Sequence, residues 1–437
     1  MSVTAILVLL TYFALLGLAL VRHPIYALFA YLFIFYNDPQ WNWWGGELPA
    51  FRYSLVAAII GLLRSMSDKF SSDLSWTSTG VGRVWLLYAI WVWIQLPWAV
   101  GFGTHFDGAI LFTKYAALSY VIYRVIVDEH TLRMFLWAHV AGCTLFGLRG
   151  LLMTFTGRLE YVGASGVDDS NLLAAHIITG MMTAGFLFVG SKGVHRWVAF
   201  GTLPIMMNAI ILTQSRGGFL ALGAAGMGAW FYSPKKYRPF ISVSLVLGAC
   251  LFLVLANEEF WERVSTIGQA SRGESTETRL EIIGPQFEMF KDHPFGAGYR
   301  GNALLSPKYM PPELMSNVGV RSAHNTFMAA LVDQGIPGAI LLLSFYGWCL
   351  VTLARLKRLD KQGLDPKFGI YRAALGASLG TCVIAGVFLN LLTFEVQVWL
   401  ATLLASLSNL AQRSLQQATA PVPAGGVPQQ RPTPARV

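Results

Sequence analysis

Charged side chains are scarce in this chain. Only 13% of its 437 residues are Asp, Glu, Lys or Arg, against 54% hydrophobic, where a soluble chain carries roughly a quarter charged residues to cover its surface. That deficit excludes an ordinary water-soluble enzyme and, with a mean hydropathy of +0.52, a disordered chain. Cysteine is equally sparse: Cys143, Cys250, Cys349 and Cys382 all lie in apolar stretches with no C-x-x-C spacing, so they read as small buried hydrophobes, with neither a disulfide framework nor a zinc site. The 43 glycines follow no period, which excludes collagen. The phosphate loop G-x-x-x-x-G-K-[ST], the zinc motif H-E-x-x-H and the D-x-D of metal-held nucleotide sugars are missing. Gly163-Ala164-Ser165-Gly166 is not the nucleophile elbow G-x-S-x-G. These residues give no reason to expect a metal or a cofactor.

What is present is a series of apolar runs of bilayer-spanning length. They fall near 3–21, 24–36, 51–63, 82–100, 108–127, 132–155, 171–190, 196–213, 216–232, 239–256, 325–354, 370–390 and 394–411. The chain therefore reads as an all-α integral membrane protein with about 12 or 13 transmembrane helices. The first run lacks a basic start and a small-residue cleavage site, so it reads as a retained span.

The basic loops are Lys192 with Arg196, then Lys235, Lys236 and Arg238, then Arg355, Lys357, Arg358, Lys361 and Lys367, which the positive-inside rule assigns to the cytoplasm. They account for most of the pI near 9.4. A basic total spread over several loops on one face, without a folded basic module, is membrane topology and not a nucleic-acid surface. Counting outward puts segments 101–107, 156–170, 214–216, 257–324 and 391–393 on the other side.

The expected organisation is an N-terminal transmembrane bundle over 1–256, a large extracytoplasmic loop over 257–323, C-terminal transmembrane helices over 324–413 and a flexible cytoplasmic tail, rich in proline and glycine, over 414–437. The loop is too long for a plain connector and should hold short helices. Thr278-Arg279-Leu280-Glu281 fits a capping box that would start a helix at Arg279, with Leu280, Ile283, Phe287 and Phe290 on one face and a kink or restart at Pro285. Such an amphipathic helix suits the outer membrane surface or the lid of a cavity.

Cations are unusually frequent on the side that positive-inside statistics disfavour. Arg52, Lys114, Arg149, His176, Arg216, Arg279, Arg300, Arg321 and His324 all map there, against chiefly Asp107, Asp168, Asp169 and Glu395. Each long side chain alone could simply snorkel to the interface. As a set they call for an anionic partner, and a lipid-linked diphosphate in the outer leaflet would supply one. Three segments sharpen the idea. In Thr213-Gln214-Ser215-Arg216-Gly217-Gly218, an arginine opens a helix beside glycines that permit close approach, so its planar fork can take a phosphate bidentately, although a tight turn with an interface anchor has the same sequence. Arg279 leads to Asp292-His293-Pro294-Phe295-Gly296-Ala297-Gly298-Tyr299, whose glycines suit a sharp turn. Arg321-Ser322-Ala323-His324-Asn325-Thr326 places His324 at a helix N-terminus, where a histidine can act as a general base near neutral pH or simply cap the turn.

These residues together resemble the O-antigen ligase and polymerase superfamily. The ordered set runs from Ser215-Arg216-Gly217-Gly218 through Arg279 and Pro294-Phe295-Gly296-Ala297-Gly298 to Ala323-His324-Asn325 and Gly335-Ile336-Pro337-Gly338, within residues 160–350. Asn37-Asp38-Pro39 and the tryptophans from Trp41 to Trp44 resemble the bacterial O-glycosylation ligases found with exosortase systems.

The resemblance implies an inner-membrane glycosyltransferase of about 12 helices that needs no metal. Such an enzyme takes a glycan from undecaprenyl diphosphate and joins it to an acceptor hydroxyl, on lipid A core or a protein, on the periplasmic side. By motif match Arg216 and Arg279 would grip the diphosphate and His324 would activate the acceptor. Lys114, Arg149, Arg300 and Arg321 are further candidates for the diphosphate. A polymerase joining lipid-linked repeat units shares the motif. A transporter of the same lipid is the reading from another class, and it predicts inverted repeats and midplane ionisable residues, of which His139 is the clear example. An envelope scaffold is the third.

Overall fold

The computed structural model describes residues 1–66, 75–152, 157–160, 162, 164, 166–167, 169–256, 261, 281–315 and 319–419. Among them are fifteen α-helices and no strand, the architecture of an all-α integral membrane protein. Each of the thirteen apolar runs is a helix: α1 Val3–Val21, α2 Ile25–Tyr36, α3 Tyr53–Ser65, α4 Gly80–Ile94, α5 Phe102–Val125, α6 Glu129–Leu152, α7 Ser170–Gly190, α8 Gly193–Leu212, α9 Arg216–Tyr232, α10 Arg238–Leu255, then, after two short helices, α13 Thr326–Leu359, α14 Pro366–Phe388 and α15 Glu395–Thr419. The two short helices, α11 Ile283–Asp292 and α12 Gly301–Tyr309, lie in the long hydrophilic stretch. Oxygen-bearing side chains start many of the apolar helices. Ser2, Thr79, Asp169, Ser215, Asn325 and Asp365 each accept a backbone N–H of the first turn, which satisfies donors that have no intrahelical acceptor.

Among the described residues six helices are long and apolar enough to cross a membrane: α1, α6, α7, α10 with its preceding turn, α13 and α14. The others are too short or too polar by that measure, α2, α3 and α4 being only 12, 13 and 15 residues long. Burial ranks the six. The apolar windows of α14 and α7 are 78% and 72% buried inside the protein, against 6% for α10, so α14 and α7 form the centre and α10 turns its surface to lipid. A ridge of small residues, Gly218, Ala221, Ala225 and Ala229, is buried along α9 and lets α9 pack closely on α14 and α7.

The basic loops gather at one end of the bundle. There Lys367 pairs with Glu129 at 2.6 Å, Arg372 reaches Asp360 at 2.7 Å and the Tyr232 carbonyl at 3.3 Å, and Lys357 stacks over the Phe231 ring. The starts of α6 and α14 and the ends of α9 and α13 are thereby drawn together. The starts of α7, α9, α13 and α15 and the end of α14 then lie at the opposite end.

At that opposite end α13 breaks. Gly335 has φ 66° and ψ −166°, a conformation that only glycine adopts without strain, and the break frees carbonyls that the Pro294–Gly298 segment uses. Ala297 N–H donates to Val332 O and Gly298 N–H to Asp333 O, both at 2.9 Å, while Ile336 N–H donates to Pro294 O at 3.0 Å. From α4, Trp91 donates to Gln334 O at 2.8 Å and Gln95 donates to Phe295 O at 2.8 Å and Asp333 O at 3.2 Å. A Cβ on Gly296 would stand 2.4 Å from the Gln95 amide. The two glycine motifs of the sequence therefore form one interlocked joint.

Helix α11 bears out one expectation and corrects another. Glu281 is helical, Ile282 turns and the helix resumes at Ile283, so the chain restarts just ahead of Pro285, which sits in the new first turn where a missing N–H costs nothing. The buried stripe is Ile282, Gln286 and Met289, while Ile283 and Phe287 are exposed. Ile282 and Met289 pack with Ala297, Leu305, Met310 and Val332, and that docking onto α12 and α13 selects the face. The expected start at Arg279 lies outside the described residues.

Candidate functional site

The turn between α8 and α9 is held from both sides. Ser215 Oγ accepts the Gly218 N–H at 3.0 Å and donates to Asn171 Oδ1 at 2.8 Å. Arg158 donates to the same Asn171 oxygen at 3.0 Å and to the Thr213 carbonyl at 3.1 Å. Arg216 is thus the first residue of a helix whose start is fixed. Its neighbours face α14 and α7, since a Cβ on Gly217 would stand 3.3 Å from the Phe388 Cβ and one on Gly218 would stand 2.7 Å from the Ala174 Cβ.

His324 approaches the same terminus of α14 from another side. Asn325 Oδ1 accepts the Phe327 and Met328 N–H groups at 2.9 Å each, and its amide donates to Val387 O at 3.0 Å. Thr326 Oγ1 donates to Leu389 O at 2.7 Å and accepts the Leu391 N–H at 2.8 Å. The residues that follow Arg216 and His324 in the chain therefore pack against the same end of α14, at residues 387–389.

Backbone strain marks the same region. Gln214, Arg300 and His324 are the non-glycine residues with positive φ among the described residues, at 49°, 57° and 47°. Each such residue costs about 1–2 kcal/mol, and such strain clusters at functional sites. Gln214 and His324 lie in segments singled out from the sequence, and Arg300 directly follows the one that ends at Tyr299.

The remaining cations have different surroundings. Arg321, three residues before His324, is only 8% exposed, and its Nε has no hydrogen-bond partner among the described residues. A buried guanidinium nitrogen without an acceptor is costly and suits an incoming anion. Arg300 is exposed, its guanidinium lies over the Tyr299 ring, and its charge faces Asp333. Arg149 is taken up internally, donating to Tyr36 O at 3.0 Å, Val162 O at 2.6 Å and Asn37 Oδ1 at 2.7 Å. Those bonds tie the end of α6 to the end of α2 and give Arg149 a bracing position. Lys114 lies midway along α5, is exposed, and feels the charge of Glu395. Arg279 lies outside the described residues.

Sequence reasoning missed a buried polar cluster. The Tyr36 hydroxyl stands 2.7 Å from His139 Nδ1 and 2.9 Å from His176 Nε2, and His139 Nε2 stands 3.0 Å from Thr179 Oγ1, which donates to His176 O at 2.7 Å. One assignment satisfies the chain: His176 Nε2–H donates to Tyr36, Tyr36 to His139 Nδ1, and His139 Nε2–H to Thr179. His176 thus joins His139 in the core. His139, Cys143 and His176 have the spacing of metal ligands, yet the Tyr36 hydroxyl stands between the imidazoles, and hydrogen bonding accounts for the arrangement. Asn302 and Asp333 were missed as well. Both are buried, and the Asp333 Oδ1 accepts the Asn302 backbone N–H at 2.7 Å and its side-chain amide at 2.8 Å. The i, i+4 spacing of His139 and Cys143 was a readable signal for the first cluster; nothing local links residues 302 and 333.

Residues 201–343 match the family model described as O-antigen ligase. This interval contains the Arg216 turn, the glycine joint and His324. No curated protein matches the chain.

Proposed function

We propose that the chain is a membrane glycosyltransferase of O-antigen ligase type that transfers a glycan from undecaprenyl diphosphate to an acceptor hydroxyl on lipid A core or a protein, a reading supported by the match of residues 201–343 to the O-antigen ligase family model. The basic loops share one end of the bundle, so the positive-inside rule assigns that end to the cytoplasm and the opposite end to the periplasm of a bacterial inner membrane. The observation that supports the proposal is that the residue after Arg216 and the two residues after His324 all pack on residues 387–389, at the end of α14, with the buried guanidinium of Arg321 three residues from His324 in the chain.

The chemistry asked of these residues is limited. The donor's leaving group is already a diphosphate, so the protein must orient the acceptor, take its proton and stabilise charge on the departing phosphate. The acceptor oxygen forms a bond to the anomeric carbon, and the bond from that carbon to the diphosphate oxygen breaks with its electron pair. The acceptor proton passes to the His324 imidazole. Arg216, Arg321 and, by sequence resemblance, Arg279 take the growing phosphate charge. One base with no carboxylate nucleophile predicts attack from the face opposite the diphosphate and inversion at the anomeric centre.

The test is transfer by the purified protein with undecaprenyl-diphosphate glycan, offering lipid A core, a glycoprotein acceptor or a second lipid-linked repeat. His324→Ala should abolish transfer while donor binding persists. Arg216→Ala and Arg279→Ala should each slow it on the order of 100-fold, equivalent to about 3 kcal/mol of barrier, with Lys a partial substitute because it lacks the planar fork. Near-normal transfer by His324→Ala would refute the base. Elongation of the second lipid-linked repeat alone would make the protein a polymerase, and retention seen by product NMR would remove the single-displacement step.

A further inference from the structure

His324 belongs to an irregular segment, and a base held on such a segment needs something rigid behind it. Downstream, Asn325 and Thr326 fasten the chain to the end of α14. Upstream, the bonds that do this work come from α12: Ser306 Oγ accepts the Arg321 N–H at 2.8 Å, and Asn302 Oδ1 accepts the Ala323 N–H at 3.0 Å. The second bond ends at the residue adjoining His324, whose own backbone has φ 47°.

We propose that Asn302 and Asp333 are positioning residues that hold His324 in register with the diphosphate end of the site; this rests on the reading of His324 as the base. The path is continuous. Asp333 is fixed where α13 breaks, because its carbonyl accepts from Gly298 at 2.9 Å and from Gln95 of α4 at 3.2 Å. Its carboxylate oxygen accepts both the backbone and the side-chain N–H of Asn302. With its NH2 committed to a carboxylate, the Asn302 amide has one orientation, and its oxygen must face the Ala323 N–H. Both side chains are almost fully buried, at 1% and 2% exposure, so water does not compete for these bonds. Asn302 therefore transmits the rigidity of the interlocked joint to the backbone beside the imidazole. Neither residue touches the reacting atoms in this scheme. Their effect is on the approach of the base to the acceptor proton, where a displacement near 1 Å costs on the order of 100-fold in rate.

The experiment measures kcat and donor KM of the full-length protein in nanodiscs. Asn302→Ala should lower kcat about 10- to 100-fold with donor KM within about a factor of two, a split that general loss of structure does not produce. Asn302→Asp alone sets two carboxylates within hydrogen-bond distance and should be at least as damaging. Combining Asn302→Asp with Asp333→Asn moves the carboxylate to α12 and the amide to α13, preserving an acceptor for the Ala323 N–H, and should restore most of the rate. If Asn302→Ala does not accumulate in the membrane, the comparison of Asn302→Asp with the exchanged pair decides. Wild-type kcat in Asn302→Ala, or an exchanged pair no better than Asn302→Asp, overturns the positioning role while an inactive His324→Ala leaves the base assignment standing. Activity in His324→Ala overturns both.

Discussion

Replacing Gly335 by alanine tests whether the joint between the two glycine motifs governs the site. At φ 66° and ψ −166° an L-residue is strained by about 1–3 kcal/mol. Its Cβ would also stand 2.4 Å from the Phe295 carbonyl carbon, 2.5 Å from the Gly296 nitrogen and 2.5 Å from the Pro294 oxygen. All three are backbone atoms, so no side chain can swing away and the segment must retreat. Retreat breaks the Ile336 to Pro294 hydrogen bond and stretches those from Ala297 and Gly298, at about 0.5–1.5 kcal/mol for each bond lost. Strain and one or two bonds together give about 1.5–6 kcal/mol, and a loss near 3 kcal/mol lowers the equilibrium constant for docking about 100-fold. Gly335→Ala should therefore insert as a helical membrane protein with a normal far-UV spectrum. Transfer should fall on the order of 100-fold, and trypsin should cut faster at Lys291, Arg300 and Lys308 in the undocked segment. Gly347→Ala is the control in the same helix, since a Cβ there meets nothing within 4 Å. Wild-type transfer and wild-type protease resistance in Gly335→Ala would refute the reasoning.

Two further substitutions separate bracing from binding. Tyr36→Phe removes the hydroxyl between His139 and His176 and leaves buried ring nitrogens unpaired, a cost of about 1–3 kcal/mol. The melting temperature in detergent should drop while transfer per folded molecule is kept, and an unchanged melting temperature would show that the network does not hold α2 against α6 and α7. Arg149→Lys gives up a planar fork that serves three acceptors. It should destabilise the protein by about 1–3 kcal/mol with donor KM unchanged, whereas a tenfold rise in donor KM would return Arg149 to the diphosphate.

The helices were legible because hydrocarbon forces every spanning backbone group to bond within its own segment, so a run of apolar residues bounded by polar caps has one outcome. The ends were legible for a related reason, since each basic loop is a separate vote for the same side. What the sequence could not convey was which cations are already engaged by the protein itself. Arg149 has the same local appearance as Arg216, and only tertiary packing reveals the three oxygen acceptors around it. The helix after Arg279 failed for the same reason. Its apolar residues occur on two faces, and the choice between Ile282 with Met289 and Ile283 with Phe287 is made by α12 and α13, elements not adjacent to it in periodicity.

The strained residues carry this argument furthest. Glycine announces a positive φ by its identity, and the turns at Gly296 and Gly298 were readable on that ground. Gln214, Arg300 and His324 announce nothing, because a side chain in the left-handed region is held there by contacts made elsewhere. At His324 those contacts are on view: Asn302 grips the preceding residue, and Asn325 and Thr326 grip the end of α14. Several hydrogen bonds of about 1 kcal/mol each offset a backbone cost of about 1–2 kcal/mol. Since the conformation is maintained against its local preference by two separate elements, α12 and the end of α14, loosening either of them should let the imidazole drift before the bundle itself comes apart.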